Sequence, residues 1–469
     1  MGVTRSANLS HVGTIEPMDI SEVVAAAEKS RVTLIRFEYC DYSGVARTKA
    51  VHISQLASAM TEGINFTRAQ NAINLLEELQ PIEGMEPVGA VRLVPDPDTF
   101  TVLPWVPGSA SMMGDQLDGE LNDWGACPRL FLKRMIERAR GMGFIIDAAF
   151  ENEFYLARDV DGHYVPFAAA IHSPVYSPIG IDHATPALID ICDALEAQGM
   201  TVETAMNEFG SGQFEVVVRY ADALRAADQQ MQFRDTVRGV ALQHDLLASF
   251  APKPFVDQVG SGAHLHTSVW NTDHTRNLLF DANADGSLST LGRHFIAGVA
   301  EHLPALLALT APSANSHRRL APQAWTSATT AWGFENKEAA LRVVAPFHGR
   351  EEQSMNIEFK PSDASANPYL ALGAFIACGL DGIARELDPG EPTQHDPATL
   401  DPDALARGKV RPLPTTMGEA LDALEADDLL MQALGDPLNR FYLAVRHSES
   451  ATFAAHDVAF EIRHHFHRF

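Results

Sequence analysis

The chain of 469 residues has little cysteine and few basic side chains. Its four cysteines are widely spaced and form no Cys-x-x-Cys pair, which excludes a disulfide framework and predicts free thiols in a reducing compartment. They are Cys40, Cys127, Cys192 and Cys378. Lys and Arg number 35 against 61 Asp and Glu, a net charge of −26. Because so acidic a chain repels a phosphate backbone, we expect no nucleic-acid partner.

Two further patterns are missing from the sequence. No run of about eighteen apolar residues is present, and the first residues, MGVTRSANLSH, lack the apolar core of a secretory signal. We therefore expect no membrane partner and a cytoplasmic location. Neither G-x-x-x-x-G-K-[ST] nor G-x-G-x-x-G occurs. A nucleotide, if bound, must then be held mainly through metal ions and scattered basic groups.

The composition that remains, 46 % hydrophobic and 20 % charged, is typical of a globular protein with a large core. We predict an α+β fold with a flexible arm at 1–16, a small domain at 17–120 and a larger domain at 121–469. Helices are predicted at 19–30, 128–143, 186–199, 221–246, 291–310, 368–386 and 416–434. Strands are predicted at 33–38, 89–96, 99–106, 144–157, 212–219, 262–270 and 338–345.

Paired carboxylates and histidines recur on the predicted strands. In FENEF, Glu151 and Glu153 share a strand face, and two adjacent carboxylates repel unless a cation lies between them. On spacing alone, two exposed acids on a solvent-facing strand are the simpler interpretation. In NEFGSGQFE, Glu208 and Glu215 flank a Gly-Ser-Gly turn that can bring them together, although a polar hairpin explains the pattern equally well.

Two later motifs extend the same chemistry. His264 and His266 share a strand face in GSGAHLHTS, and Glu358 and Lys360 share one in NIEFKPSD. A shell made mostly of carboxylates suits Mg²⁺ or Mn²⁺ better than zinc or copper. Two such ions could neutralise a nucleotide triphosphate during phosphoryl transfer. A late group of basic residues could form an anion clamp, or simply surface ion pairs: Arg318, Arg319, Lys337, Arg342 and Lys360.

In this order the motifs resemble those of the glutamine synthetase family, specifically the bacterial type I branch and its γ-glutamyl-amine (glutamate–amine) ligase relatives. The resemblance runs from DYSG at 41 to the C-terminus. It includes PWVPG at 104–108, ENEF at 151–154, NEFGSGQFE at 207–215, SFAPKPF at 249–255, GSGAHLHTS at 260–268, NSHRRL at 315–320 and NPYLAL at 367–372. It implies a small N-terminal β-grasp-like domain and a large catalytic domain with a curved antiparallel sheet flanked by helices.

The resemblance also implies roles for individual residues. Glu153, Glu208 and Glu215 match ligands of a metal on the substrate side, and Glu151, His264 and Glu358 match those of a metal on the nucleotide side. Nucleotide contacts are implied for Glu203, His266 and Ser268. Glutamate is implied to lie against Gly260 and Arg319, with Arg342 neutralising the transferred phosphoryl group. Asp41 matches an aspartate expected to reach a neighbouring subunit's site and to bind or deprotonate the amine.

Departures from the family pattern lie around the acceptor and phosphate pockets. Trp325 stands where ammonia-using enzymes carry a glutamate, and Val259 replaces an asparagine. Lys337 and Lys360 stand for two arginines and so keep the charge but lose the bidentate fork. A Trp cannot take a proton and offers a broad apolar face. We therefore expect an organic primary amine, rather than ammonia, as the acceptor.

The implied reaction has two steps and three substrates. ATP phosphorylates the γ-carboxylate of glutamate, and an amine then displaces phosphate, with Mg²⁺ or Mn²⁺ at two or more positions in each site. A homo-oligomer is implied, with a dodecamer of two stacked hexamers as the usual assembly. Two alternatives stay open: an ammonia-using glutamine synthetase, and a catalytically silent relative with a structural or regulatory role. Loss of metal ligands would mark the second alternative, and all six ligand types are present.

Overall fold

A computed structural model describes residues 18–168 and 173–469. The predicted arm at 1–16 lies outside these residues. The fold is a mixture of helices and sheet, as predicted. No helix in the described ranges has both the length and the apolar character needed to cross a membrane.

The N-terminal part is a six-stranded sheet with two helices. Its strands follow the order β2-β1-β6-β4-β3, with β5 beside β6, and β1 and β6 are parallel. The strands are β1 (Leu34–Cys40), β2 (Ala46–His52), β3 (Ile64–Thr67), β4 (Ala90–Pro95), β5 (Thr101–Val102) and β6 (Ser109–Leu117). The helices are α1 (Ile20–Lys29) and α2 (Leu56–Glu62). The β-grasp assignment of this sheet stays a prediction.

One local prediction in this part is wrong. The strand expected at 99–106 is only two residues long, Thr101–Val102. The backbone turns after Val102, where the N–H of Val106 donates to the carbonyl of Leu103. Pro104 and Pro107 lack the N–H groups that would continue a ladder, so an apolar run is not enough for a strand here.

The second part is built on a ten-stranded sheet. Its main path is β14-β15-β16-β13-β7-β10-β9, antiparallel except for the β14–β15 pair. The strands are β7 (Phe144–Val160), β8 (His163–Pro166), β9 (Val202–Asn207), β10 (Gln213–Val218), β11 (Ala221–Asp222), β12 (Leu247–Ser249), β13 (Ala263–Asn271), β14 (Trp332–Phe334), β15 (Leu341–Val344) and β16 (Asn356–Phe359). Strand β7 pairs with five other strands, so it forms the axis of the sheet.

Helices cover this sheet. They are α3 (Pro128–Gly141), α4 (Pro178–Ala197), α5 (Ala223–Gln243), α6 (Thr290–Thr310), α7 (Ala314–Arg319), α8 (Glu351–Ser354), α9 (Pro368–Ala384), α10 (Pro402–Arg407), α11 (Met417–Glu425), α12 (Asp428–Leu434), α13 (Leu438–Ala454) and α14 (Val458–Phe466). Helix α9 is almost wholly buried and crosses α6 backbone to backbone. A Cβ on Gly298 would lie 2.2 Å from the carbonyl oxygen of Cys378, so only glycine fits there.

The single helix predicted at 416–434 is two helices. Helix α11 ends at Glu425, and Asp427 starts α12 by accepting a hydrogen bond from the N–H of Leu430. An aspartate at this position caps a new helix better than it continues an old one, because its side chain satisfies a free N–H group. Both helices place leucines in the same large core, so the periodicity alone looked continuous.

Candidate active site

Strand register brings the predicted metal-ligating residues together. On β7, Glu153 is paired with Glu215 of β10, and Glu151 is paired with His264 of β13. His266 of β13 is in turn paired with Glu358 of β16. Directly paired residues project from the same face of an antiparallel sheet. Four neighbouring strands therefore present their carboxylates and histidines on one surface.

Glu208 joins this surface from the turn after β9. Its backbone N–H donates to the carbonyl of Gln213, which closes the turn 208–213 and directs both of its ends toward Glu153. A Cβ on Gly210 would lie 2.0 Å from the hydroxyl of Tyr155, so the turn depends on glycine for its close approach to β7. The Gly-Ser-Gly segment thus places Glu208 and Glu215 on either side of one turn, and their role as metal ligands stays a prediction.

On the substrate side the carboxylates are crowded. Burial and the charges of Glu153 and Glu151 raise the pKa of Glu208 to about 7. Burial and the charges of Glu151, Glu153 and Glu208 raise the pKa of Glu215 to about 10. Such shifts arise where negative charges are brought together without a cation. The donor set, three glutamates, fits a hard divalent ion.

On the nucleotide side, acids and histidines alternate. The Nδ1 of His264 lies 3.1 Å from Glu151 Oε2 and 3.4 Å from Glu358 Oε1, and His266 Nε2 lies 3.5 Å from Glu151 Oε2. Glu151, His266 and Glu358 can converge on a single ion. We expected His266 to contact the nucleotide, but its ring is placed as well as that of His264 to bind a metal ion. The described residues fit a metal here through a mixed carboxylate and imidazole set.

The charges on this side already compensate one another. Burial opposes ionisation of Glu151, but hydrogen bonds from His264 and His266 hold its pKa well below the usual range. Burial likewise opposes ionisation of Glu358, yet Lys360 and the two histidines lower its pKa to about 2. The pKa of His266 is raised to about 9 because Glu151 outweighs the effect of burial. Both glutamates are thus anionic and ready to bind a cation.

Asn356 has a role that the sequence did not reveal. Its Oδ1 lies 2.9 Å from Nδ1 of His266 and can accept a hydrogen bond from the Nδ1–H group. That hydrogen bond would leave Nε2 of His266 free to face Glu151. Fixing one ring nitrogen in order to present the other is the usual way in which a histidine ligand is oriented.

Three of the predicted basic residues lie beside the cluster of carboxylates and histidines. Arg342 Nη1 lies 2.8 Å from Glu358 Oε2, and Lys360 Nζ lies 3.2 Å from Glu358 Oε1. Arg319, at the end of α7, is buried and donates to the carbonyls of Ser362 and Lys360. Its Nε has no hydrogen-bond partner among the described residues. Burial lowers the pKa of Arg319 by more than the charges of Glu153, Asp363 and Glu358 raise it, so the nearby carboxylates compensate this guanidinium only in part.

Gly260 and Gly262 let the loop before β13 lie directly on Arg319. A Cβ on Gly260 would lie 2.6 Å from Cγ of Arg319 and 2.8 Å from the carbonyl oxygen of Pro252. The N–H of Gly262 donates to Glu153 Oε2, and Gln213 Nε2 donates to the carbonyl of Gly260. Gln213 therefore positions this loop. The only sign of this role in the sequence is that Gln213 lies within the NEFGSGQFE motif.

Other predicted residues lie at the edges. Glu203 is exposed on β9, where it pairs with Arg219, and Ser268 accepts a hydrogen bond from Nε1 of Trp270. Val259 is 41 % exposed, and its carbonyl accepts the hydroxyl of Tyr155. Lys337 is exposed, with Nζ 4.8 Å from the ring centre of Trp325.

The placement of Asp41 does not fit its predicted role. Its side chain is fully buried, and its carboxylate binds Arg47 and the N–H groups of Ser43 and Val45. Burial raises the pKa of Asp41 against the opposing effect of Arg47. An acid that reaches a neighbouring subunit must project from its own subunit, and this one points inward. Asp41 instead holds the turn between β1 and β2.

Comparison with known proteins agrees with this geometry. Residues 18–129 match the glutamine synthetase N-terminal domain, and residues 125–465 match the glutamine synthetase catalytic domain. The chain belongs to the glutamine synthetase family. This membership accounts for nearly the whole described chain, as the motifs predict.

Individual relatives differ in the reaction that their names describe. A gamma-glutamylpolyamine synthetase, GlnA3, of Streptomyces coelicolor is 39 % identical over 88 % of this chain and 89 % of its own. A glutamine synthetase of Thermus thermophilus is 33 % identical over 92 % of this chain and 94 % of its own. The solved GmaS/ADP complex superposes with a TM-score of 0.82 at 27 % identity, over 94 % of this chain and 98 % of that one.

Proposed function

We propose that this chain is an ATP-dependent glutamate–amine ligase, which forms a γ-glutamyl amide from glutamate and a primary amine. The observation that carries the proposal is the convergence of Glu151, Glu153, Glu215, His264 and Glu358 through strand register, beside a buried arginine. The relatives support it, since a gamma-glutamylpolyamine synthetase is similar in sequence over most of the chain and an ADP complex of GmaS shares the fold.

The residues divide the chemistry between them. Two Mg²⁺ or Mn²⁺ ions, when bound, would neutralise the triphosphate and the γ-carboxylate of glutamate. Glu153, Glu208 and Glu215 would hold one ion, and Glu151, His264 and Glu358 the other, with His266 turned toward the same place. Glu203 and Ser268 would contact the nucleotide at the edges of the sheet.

Glutamate would bind against the loop of Gly260. Arg319 supplies a guanidinium with a free Nε donor beside that loop, where a substrate carboxylate would provide further compensation. Arg342 and Lys360, which now contact Glu358, lie where they can stabilise charge on a transferred phosphoryl group.

The reaction would proceed in two balanced steps. An oxygen of the γ-carboxylate attacks the γ-phosphorus of ATP, ADP leaves, and γ-glutamyl phosphate forms. The amine nitrogen then attacks the acyl carbon, the C–O bond to phosphate breaks, phosphate leaves, and the proton lost from nitrogen passes to water. Each turnover converts one ATP to ADP and phosphate and forms one amide.

The decisive experiment is an amine-panel assay with product mass spectrometry. Purified protein would be given Mg²⁺, ATP, glutamate and either ammonia or one of a broad set of primary amines. We expect a γ-glutamyl amide and equimolar ADP with at least one organic amine, at a kcat/KM above that for ammonia. Glutamine as the preferred product would instead indicate an ammonia-using enzyme, and the absence of ADP throughout would indicate a silent relative.

We also propose that the protein is a homo-oligomer, a dodecamer of two stacked hexamers, on the basis of family membership. Light scattering coupled to size-exclusion chromatography tests the count directly. A monomer with full ligase activity would contradict the proposal.

A further inference from the structure

Three aromatic side chains lie exposed and in contact beside the carboxylate cluster. The ring of Phe209 lies 5.3 Å from that of Trp325 and 6.4 Å from that of Tyr176, in edge-to-face geometry. Their exposed fractions are 52 % for Tyr176, 50 % for Phe209 and 43 % for Trp325. We call these three residues the aromatic wall. Grouped exposed aromatic rings usually mark a binding surface.

Two members of the aromatic wall are tied to the metal-binding residues. Phe209 directly follows Glu208 in the sequence. The backbone N–H of Tyr176 donates to the carbonyl of Asn207, which directly precedes Glu208. Burial and the charges of Glu208 and Glu215 raise the pKa of Tyr176 to about 12. A molecule that contacts the aromatic wall is therefore next to the reacting end of glutamate.

The third member is held in place by its own loop. Trp325 has a φ of 56°, a left-handed conformation that costs a bulky residue energy. Its backbone N–H donates to Glu338 Oε1 at 3.0 Å, which fixes this geometry. Local strain of this kind is retained where the surrounding structure specifies it. The indole is thus directed at Phe209 and is not a loosely attached surface group.

Lys337 gives the aromatic wall a positive charge. Its side chain is exposed, and its ammonium lies 4.8 Å from the centre of the Trp325 ring. A diamine or polyamine whose first nitrogen reacts would bring its distal ammonium toward this cation, which disfavours it through like-charge repulsion. A neutral alkyl or aryl tail has no such conflict.

We propose, on the basis of the function proposed above, that the aromatic wall and Lys337 select primary monoamines with an apolar alkyl or aryl tail over both ammonia and polyamines. The reacting nitrogen lies toward Glu208, and the tail packs on Phe209 and Trp325. Each methylene that leaves water favours binding by about 0.8 kcal/mol, or roughly fourfold in kcat/KM. The preferred acceptor thus differs from the polyamine in the name of the Streptomyces relative.

The test compares acceptor series in the full-length protein. For wild type we expect kcat/KM to rise along methylamine, propylamine and hexylamine, and phenethylamine to exceed 1,6-diaminohexane. Trp325→Ala and Phe209→Ala should flatten the alkyl series, with about a tenfold loss for hexylamine and little for methylamine. Leu242→Ala, which removes an exposed apolar side chain on α5, is the control and should leave the series unchanged.

Lys337→Gln tests the charge. The ratio of kcat/KM for 1,6-diaminohexane to that for hexylamine should rise severalfold, and the ratio cancels any loss that both amines share. An unchanged ratio, a wild-type preference for the diamine, or an unchanged alkyl series in both aromatic variants would overturn the inference. Failure of the ligase function itself would look different, because no amine would then support ADP formation.

Discussion

The metal-facing half of the site stands on paired strands, whereas the acceptor-facing half stands on loops. Glu151, Glu153 and Glu358 are fixed by the ladders that join β10, β7, β13 and β16. Trp325 and Phe209 lie between elements, are half exposed, and meet only through their rings. The first half can change little without breaking the sheet, since a slip of one residue would turn every ligand to the other face. The second half can change its side chains freely.

This contrast explains why the family conserves a reaction and varies an acceptor. Phosphoryl transfer needs several charges held in fixed positions, and strand pairing can hold them there. Selection of an amine needs only a surface of suitable shape and charge, which loops can supply. Substitutions in the two halves should therefore affect different steps.

The largest effect is expected for Glu215→Gln. The substitution removes a metal ligand, so activity with every amine should fall at least about 100-fold. The neutral amide also relieves the crowding that raises the pKa of Glu215, so melting of the metal-free protein should occur no lower than for wild type. Mg²⁺ should stabilise the variant less than wild type, because only the ion on the nucleotide side would keep all of its ligands.

Calorimetric titration with Mn²⁺ and thermal melting with and without metal check this expectation. Glu137→Gln, on the exposed face of α3, is a matched control that keeps its activity. A Glu215→Gln variant that retains full activity would remove Glu215 from the metal site.

Arg319→Lys should come next. Lysine keeps the charge but cannot span Ser362, Lys360 and a substrate carboxylate with a planar fork. We expect the KM for glutamate to rise about 10- to 100-fold, as for a lost charged hydrogen bond, with a smaller change in the KM for ATP. Arg318→Lys is the neighbouring control, because Arg318 pairs with Glu461 instead. Equal changes in both variants would contradict a specific role.

Asp41→Asn should lower the stability of the protein and leave catalysis almost unchanged. The substitution leaves Arg47 without its buried partner and should lower the free energy of unfolding by about 2 kcal/mol. This cost is smaller than for a fully buried ion pair because Arg47 is partly exposed. The kcat/KM for amines, measured well below the melting temperature, should change little. Denaturant unfolding and steady-state kinetics measure the two quantities. A large loss of kcat at unchanged stability would instead indicate that Asp41 helps to bind or deprotonate the amine.

Asn356→Ala should have the smallest effect. Without the hydrogen bond to Nδ1, His266 is free to adopt the other tautomer, and metal affinity should fall about tenfold. Asn356→Asp keeps an acceptor at the same position and should restore most of the affinity. An alanine variant with wild-type affinity would show that His266 needs no such support.

Period-two spacing and motif order are enough to predict which residues of the sheet lie near one another, whereas their roles as metal ligands stay a prediction. Residues such as Glu151 and Glu153 are two apart on one strand, and their partners lie on strands with the same alternation. Pairing between strands was not visible in the spacing itself, so FENEF alone also fitted an exposed pair of acids. Only the register shows that Glu153 is opposite Glu215.

The loop-borne half was predicted less completely. Trp325 was recognised as a departure from the family pattern, but its contact with Phe209 depends on a left-handed backbone that no pattern indicates. The burial of Asp41 was not predicted either, since a polar residue in a turn can face outward or inward. The two-residue strand at Thr101–Val102 shows the same limit, because tertiary context decides where a short apolar run turns.

The central claim, that glutamate is activated as an acyl phosphate and then transferred to an amine, can be tested with glutamate labelled with oxygen-18 in its γ-carboxylate. The reaction would be run with ATP, Mg²⁺ and hexylamine, and the released phosphate examined by mass spectrometry. The account predicts one labelled oxygen in each phosphate formed and one in each γ-glutamyl amide. Unlabelled phosphate formed alongside the amide would contradict it.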